Sequence, residues 1–394
     1  MPIRLGLTFD DVLLEPRRTA VKRNDASVAT RLTKQARLAI PLISAASDTV
    51  SDARFAIALG KLGGMAVLHR NVSLEEQVKM VKEVKAAGVI VGAAVGPMDV
   101  ARAVALASAG ADVIFIDCAH AHAPGIIEAA KEMKEKFKSL TPLHSKTRVL
   151  PLLGEIGRMG PQLVVGNVAT KEGAKDFVGI ADALKVGIGG GAICTTRIVS
   201  GVGVPQLTAI MDVVSVAKKY GIPVIADGGI RFTGDMVKAL AAGASTVMLG
   251  QLFAGTLETP GEVITENGKQ YKVYRGMGSR EALEKRHAMD RYAESKMSTP
   301  PSHKATEGHS TTSASGHSSS TEEEKRKKTH VAEGVTGKVP FRGTVAEVVE
   351  EYVGSIQAGM GYIGAATIED MWKQARFIQI TNAGLKESHP HSLA

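Results

Sequence analysis

Cys194 lies in the most unusual loop of the sequence, a glycine-rich stretch that also contains Thr195 and Thr196. About twenty residues separate the preceding strand-like run from the next helical pattern, where about two to six are usual. Glycine N–H groups and a helix N-terminus stabilise an anion, so the loop could favour the nucleophilic thiolate of Cys194. The alternative is a small buried cysteine in a tight loop. Loop length and polarity favour a nucleophile, whereas Cys118 follows a predicted core strand and is more typical of a core residue.

Polar residues and glycines follow nearly every predicted strand. Asp227-Gly228-Gly229 and Gly250 follow the last two strands, and in a parallel barrel the corresponding loops often bind phosphate. Glycine lets a ligand approach the backbone, and an aspartate accepts hydrogen bonds from ribose hydroxyls, although an Asp-Gly-Gly sequence can also be only a tight turn. The other polar candidates at strand ends are Ser44, Ser47, Asp48, His69, Arg70, Asn71, Asp117, His120 and Asn167.

Short β-branched runs that alternate with amphipathic helical patterns would position these residues. Nearly continuous apolar strands predict a parallel sheet covered by helices, and eight repeats predict an α/β fold, a single-domain (β/α)8 TIM barrel over residues 1–394. A doubly wound open sheet is the alternative, but no dinucleotide-type glycine loop follows the first strand. The predicted strands are Pro41–Ala45, Met65–Leu68, Val89–Val95, Asp112–Asp117, Leu163–Gly166, Ala183–Val186, Pro223–Ala226 and Ser245–Leu249.

The composition limits the class of protein. Aromatic residues make up only 4% of the chain against 44% hydrophobic residues, which predicts an aliphatic core. No apolar stretch approaches the ~20 residues of a membrane span, the N-terminus lacks a signal-peptide pattern, and two cysteines form no disulfide framework. We therefore expect a cytoplasmic protein. The net charge of +8 suits an anionic small substrate; a nucleic-acid surface is the weaker alternative because no binding motif accompanies the charge.

Two segments interrupt the barrel pattern. Residues 141–161 form an insertion with no assigned role, long for a helix-to-strand connection. Residues 298–330 are rich in Ser, Thr, His and Lys, a composition that predicts disorder. Beyond them, Val345–Ala358 has a helical pattern, and we expect a tail from Gly359 to close the chain.

Six motifs, in order and at family spacing, resemble the IMP dehydrogenase / GMP reductase family. The resemblance covers nearly the whole chain except the two segments just described. It implies an IMP dehydrogenase in which Cys194 attacks C2 of the purine, hydride passes to NAD+, and the covalent thioimidate is hydrolysed to XMP. The motifs are Leu7–Leu14, Leu184–Gly187, Ile193–Arg197, Gly201–Gln206, Ala226–Arg231 and Tyr274–Ser279.

The resemblance also implies roles for individual residues. Thr196 and a mobile flap within residues 274–340, which carries Arg291-Tyr292, would activate water. Asp117 and Gly187 would contact the cofactor. A potassium ion would bind Gly189, Gly191 and Cys194 together with Glu387, Ser388 and His389 of a neighbouring subunit, which implies a homotetramer. The substrate would be bound by Ser44, Asn167, Asp227, Gly228, Gly229, Gly250, Tyr274, Met277, Gly278 and Glu333.

Several departures from the family pattern bear on function. The sequence from Lys82 to Val95 is continuous, so the regulatory CBS domains that most family members insert there are absent, and we predict no purine-nucleotide regulation through them. Ala192 replaces a phosphate-binding serine, Ser47 replaces a methionine, and Ala121 and Ala123 replace a glycine and a serine. Loss of one hydroxyl–phosphate hydrogen bond weakens binding by about 1.5–3 kcal/mol, so we expect a lower affinity for the nucleotide.

Two other functions remain open on the sequence. A GMP reductase would use the same cysteine with NADPH and release ammonia, but it has no need of a water-activating pair such as Arg291-Tyr292. Such reductases commonly lack CBS domains, which favours them slightly. A barrel that only binds purine nucleotides is the third reading, suggested by the altered phosphate loop.

Overall fold

Eight parallel strands form a closed barrel in the computed structural model, which describes residues 3–140, 160–284 and 332–390. Each strand pairs with the next along the chain, and the last pairs with the first, through Leu249 and Ser44 among others. The predicted barrel is confirmed, and the open-sheet alternative is wrong. The strands are β1 (Leu42–Ser44), β2 (Met65–Leu68), β3 (Gly92–Val95), β4 (Val113–Asp117), β5 (Gln162–Val168), β6 (Ala183–Val186), β7 (Val224–Asp227) and β8 (Thr246–Leu249).

Eight helices surround the strands, because each predicted helical pattern has one apolar face to bury against the sheet. They are α1 (Ala53–Lys61), α2 (Leu74–Ala86), α3 (Val100–Ser108), α4 (Pro124–Ser139), α5 (Lys171–Asp176), α6 (Gln206–Ala217), α7 (Thr233–Ala241) and α8 (Val345–Ile363). Shorter helices span Thr196–Ser200, Gln251–Ala254, Arg280–Glu284, Ile368–Gln374 and Asn382–Glu387. The chain passes from α2 to β3 through residues 87–91, so no domain is inserted there.

Helix α8 completes the ring by packing between α7 and α1. The predicted helix over 345–358 is confirmed, but the expected start of a tail at Gly359 is wrong, because the helix continues to Ile363. A Cβ atom at Gly359 would lie 2.4 Å from Cγ1 of Val237. The glycine therefore allows two helices to pack closely, and the helix ends instead at Gly364, whose φ of 74° is left-handed.

The core is aliphatic, as expected, and lies in two layers. One layer fills the space between strands and helices. The other fills the barrel and includes Ile43, Val67 and Phe115, closed from below by Leu32 and Leu38 of the hairpin Thr30–Arg31/Arg37–Leu38. Because apolar side chains fill the lower barrel, polar side chains collect at the carboxyl ends of the strands.

The connection from β8 to α8 is a long excursion. It contains an antiparallel three-stranded sheet made of Ile264–Glu266, Lys269–Arg275 and Thr336–Pro340. The predicted insertion (except residues 160 and 161), the tract 298–330 and the pair Arg291-Tyr292 lie outside the described residues. Strand Val12–Leu14 pairs with Phe377–Gln379 and joins the two ends of the chain. Among the described residues, no helix is long and apolar enough to span a membrane.

Candidate active site

One cleft at the carboxyl rim of the barrel brings together most of the residues predicted from sequence. Ser44, Gly229 and Gly250 do not line it but lie directly behind it. The oxygen of Ser44 pairs with the hydroxyl of Ser51 at 2.6 Å, so it faces the core. The predicted residues that line the cleft are Asp117, Asn167, Gly187, Gly189, Gly191, Cys194, Thr196, Asp227, Gly228, Tyr274, Met277, Gly278 and Glu333.

Cys194 begins a chain of hydrogen-bonding groups. Its Sγ lies 3.1 Å from Oγ1 of Thr196, and that hydroxyl donates to Oε2 of Glu333 at 2.6 Å. The backbone holds the same three positions together, since the N–H of Thr195 donates to the carbonyl of Glu333 and Cys194 pairs with Gly334 as an antiparallel bridge. A thiol, a hydroxyl and a carboxylate in this order form a path along which a proton can move.

Lys185 is a central residue of the site that we did not predict. Its Nζ lies 3.0 Å from Oδ1 of Asp117 and 2.8 Å from Oδ2 of Asp227, and it also donates to the side-chain oxygen of Asn167. The sequence carried a signal for this role. A lysine inside a strand that is otherwise apolar must be buried, and a buried charge requires charged or polar partners.

Glycines let the loops after β6 and β7 touch. Gly187 has a φ of 147°, and a Cβ atom there would lie 1.9 Å from the carbonyl oxygen of Asp227. Gly228 and Gly229 also have positive φ, and the N–H of Gly229 donates to the carbonyl of Gly190 at 2.7 Å. Only glycine tolerates these conformations and distances, so the predicted phosphate-binding turn is built from closely packed backbone.

Tyr274 enters the cleft through space that Gly250 leaves open. A Cβ atom at Gly250 would lie 2.2 Å from the tyrosine Oη. Burial raises the pKa of Tyr274, and the nearby charges of Asp227 and Cys194 raise it further. The hydroxyl therefore remains protonated at neutral pH and can donate a hydrogen bond to an anion.

Arg275 connects the long segment between β8 and α8 to the loop after β1. Its guanidinium makes two bonds to Asp48, one of 3.2 Å and one of 2.5 Å, and Asn71 also donates to that carboxylate. Burial alone would raise the pKa of Asp48, but these bonds and the charge of Arg275 outweigh it and hold the pKa below its usual value. Ser47, which replaces the family methionine, donates to the carbonyl of Arg275 at 3.0 Å.

Comparison with known proteins fits this geometry. The family model described as IMP dehydrogenase / GMP reductase domain matches residues 6–311 and 297–391. The chain belongs to this family. Inosine-5'-monophosphate dehydrogenase from Cryptosporidium parvum is 39% identical, with 98% of this chain and 95% of the relative covered. The enzymes of the same name from Borreliella burgdorferi and Aquifex aeolicus are 38% and 34% identical, and the matches cover 97% and 96% of those relatives.

A second, mostly apolar recess adjoins the cleft at the carboxyl rim and shares Ala119, Thr196 and Glu333 with it. His120 lines this recess. Burial lowers its pKa, as does the charge of His122, so its ring is neutral at neutral pH. His122 itself pairs with Asp176, with 2.8 Å between Nε2 and Oδ2. A neutral, apolar recess close to Cys194 suits a flat aromatic ring.

The four family departures occupy different places. Ala192 is exposed and does not line the cleft. Ala121 is fully buried, and its N–H donates to the carbonyl of Asn167. Ala123 lines the recess and is the N-cap of α4, where no side chain bonds to the helix N-terminus. Only Ser47 replaces its family residue with a new hydrogen bond in the described structure.

The predicted potassium ligands divide into two groups. Gly189, Gly191 and Cys194 lie in the cleft loop, where the carbonyl of Gly191 accepts the N–H of Cys194 at 3.1 Å. Glu387, Ser388 and His389 lie at the end of the last helix, and the ring of His389 lies 5.8 Å from that of Phe232. No group of three or more His, Cys, Asp or Glu residues is arranged for a metal within the described residues. Main-chain carbonyls suit potassium better than such side-chain clusters, so the loop fits that ion.

Proposed function

We propose that this chain is an IMP dehydrogenase, which oxidises IMP to XMP with NAD+. The observation that carries the proposal is the Cys194–Thr196–Glu333 chain in a cleft that is also lined by glycine backbone and Tyr274. The printed names of relatives covered over almost their whole length support the same activity.

The cleft provides contacts for each part of IMP. The carboxylate of Asp227 accepts hydrogen bonds from the ribose, and the phosphate lies against the backbone of Gly228 and the hydroxyl of Tyr274. These donors are neutral, which suits a phosphate held by oriented N–H groups. Gly229, whose N–H donates to the carbonyl of Gly190, supports the turn of Gly228 from behind. The hypoxanthine lies between the loop of Cys194 and the backbone of Met277, Gly278 and Glu333, with Asn167 supporting it from β5.

The chemistry begins at the sulfur. The Cys194 thiolate forms a bond to C2 of the purine, and C2 loses its hydrogen as hydride, which oxidises the ring and leaves a thioimidate. NAD+, when bound, supplies the hydride acceptor. The recess lined by His120 would hold its aromatic ring, with Asp117 and Gly187 in the adjoining cleft.

Water completes the reaction. As a water oxygen bonds to C2, Thr196 accepts the water proton and passes its own proton to Glu333, to which it is already hydrogen-bonded. The C2–S bond then breaks, which releases XMP and restores the thiolate. We propose that Arg291-Tyr292 also activates this water, as the family resemblance implies.

The first test is to follow nicotinamide absorbance in a potassium buffer. IMP with NAD+ should produce NADH, and GMP with NADPH should not react; oxidation of NADPH by GMP alone would instead assign a GMP reductase. Cys194→Ser should abolish turnover but retain IMP binding. IMP should also protect Cys194 from alkylation, while Cys118, 1% exposed, serves as an internal unlabelled control. Binding without turnover in either direction would leave a nucleotide-binding barrel.

We further propose a potassium site shared between subunits of a homotetramer. The loop of Gly189, Gly191 and Cys194 would supply carbonyl oxygens, and Glu387, Ser388 and His389 of the neighbour would complete the site. Replacing potassium with sodium should slow turnover, and Glu387→Gln should weaken the potassium response. Light scattering that shows a monomer under assay conditions would refute both parts.

A further inference from the structure

Lys185 is buried where a charged group has a large unfavourable desolvation free energy. Its side chain is 2% exposed, in the middle of β6, while the side chains of Asp117 and Asp227 are 8% and 21% exposed. Desolvation of an isolated ammonium or carboxylate at such positions is strongly unfavourable. Lys185 and its two carboxylates therefore depend on one another, and removal of Lys185 takes a compensating charge from both carboxylates.

The neighbouring strand has a groove for the lysine. A Cβ atom at Gly166 of β5 would lie 2.6 Å from Cβ and 2.9 Å from Cε of Lys185. The absence of a side chain at Gly166 gives the aliphatic part of the lysine its path along the barrel interior. The path brings Nζ to the ends of β4, β5 and β7, where Asp117, Asn167 and Asp227 converge.

The two carboxylate oxygens of Asp227 have different hydrogen-bond partners. Oδ2 accepts from Nζ of Lys185 at 2.8 Å and from Nδ2 of Asn167 at 3.0 Å. In the described part of the chain, both of these hydrogen bonds to the Asp227 side chain go to Oδ2, so Oδ1 remains available to a ligand. Lys185 and Asn167 thus fix the rotation of the carboxylate through one of its two oxygens.

We propose that Lys185 is a positioning residue that orients Asp117 and Asp227, so that Oδ1 of Asp227 accepts the ribose hydroxyls. The inference rests on the proposed function, because it takes the ribose of a purine nucleotide as the ligand. Two carboxylates and one ammonium give the trio a net charge of −1. Without the ammonium, the buried carboxylate of Asp117 and the half-buried carboxylate of Asp227 would face each other and would share a proton at neutral pH.

The test uses the full chain and three variants. Lys185→Met removes the charge and keeps the length, Lys185→Arg keeps the charge, and Lys185→Met combined with Asp117→Asn restores the net charge of −1. Calorimetric titration with IMP, repeated in buffers of different ionisation enthalpy, measures both the affinity and the protons released on binding. This titration requires no turnover, so it distinguishes a failure of the lysine's role from a failure of the proposed reaction.

Lys185→Met should weaken IMP binding by about ten- to a hundredfold, because Asp227 loses its fixed orientation. It should also release a proton on binding that the wild type does not release. Lys185→Arg should keep the wild-type proton count. The double variant should recover the proton count because one carboxylate remains, but not the affinity, because Asp227 still lacks the contact with Lys185 that orients it. An affinity within about twofold of wild type in Lys185→Met would refute the proposal, as would a double variant that still released the additional proton.

Thermal unfolding tests the same idea without any ligand. In Lys185→Met the folded state binds a proton more tightly than the unfolded state, so its Tm should fall as pH rises from about 5 to about 8. The wild type and the double variant should lack this additional fall. A lysine that only fills space would lower the Tm of both Met variants equally at every pH, and that result would overturn the proposal even if no nucleotide bound.

Discussion

Gly250→Ala tests whether the hydroxyl of Tyr274 binds the phosphate. The new Cβ would lie 2.2 Å from Oη, whereas carbon and oxygen atoms in contact need more than about 3 Å. The hydroxyl would have to move by about 1 Å, which is enough to break a hydrogen bond. Overpacking of this kind costs about 1–3 kcal/mol of stability, and a lost hydrogen bond to a charged group weakens binding by about ten- to a hundredfold.

A double-mutant cycle separates this contact from general damage. In Tyr274→Phe the nearest ring atom, Cζ, would be 3.1 Å from the new Cβ, so a shift of only a few tenths of an ångström is needed. Gly250→Ala should therefore cost at least about 1 kcal/mol less in the Phe background than in the wild type. Gly354→Ala in α8, where a Cβ atom meets nothing within 4 Å, is the matched control and should stabilise slightly.

The assay compares IMP with inosine, which lacks the phosphate. Gly250→Ala and Tyr274→Phe should each weaken binding of IMP and leave binding of inosine nearly unchanged, while chemical denaturation records the stability of each variant. Equal costs of Gly250→Ala in both backgrounds would refute the steric argument. Equal losses for IMP and inosine would refute the assignment of the tyrosine to the phosphate.

Three further predictions concern capping, acid stability and water activation. Ala123→Ser should raise the free energy of unfolding by about 1 kcal/mol by capping α4, and Ser73→Ala should lower it similarly by uncapping α2, as denaturant melts would show. Asp48→Asn should destabilise the protein fully above about pH 4 and progressively less below it, because the lowered pKa of Asp48 gives a stabilisation that acid removes; an offset independent of pH would contradict this. Glu333→Gln should slow hydrolysis of the thioimidate more than oxidation of IMP, so rapid mixing should show a burst of NADH. Loss of the burst would contradict proton transfer from Thr196 to Glu333 as a step of hydrolysis.

The sequence by itself determined the barrel, its eight strands and the edge at which the site lies. Apolar runs of strand length alternate with amphipathic helices, and these periods are local properties of the chain. Closure of eight parallel strands then forces all their carboxyl ends to one rim. For this reason Cys194, Asp117 and Asp227 could be placed together before any contact was known.

Only the tertiary structure decided which side chains touch. Thr196 and Glu333 are separated by 137 positions, and Ser47 and Arg275 by 228 positions, so no local pattern relates them. Lys185 shows the same limit. Its residue type signalled a buried charge, but the partners come from three other strands.

Glycine shows the difference most simply. At Gly228 and Gly229 it signals a turn with positive φ, which the local sequence predicts. At Gly359 it suggested the end of a helix, yet its purpose is the close approach of Val237 from a neighbouring helix. A glycine looks the same in the sequence whether it permits a left-handed backbone or makes space for a distant atom. Only the packed fold distinguishes the two roles.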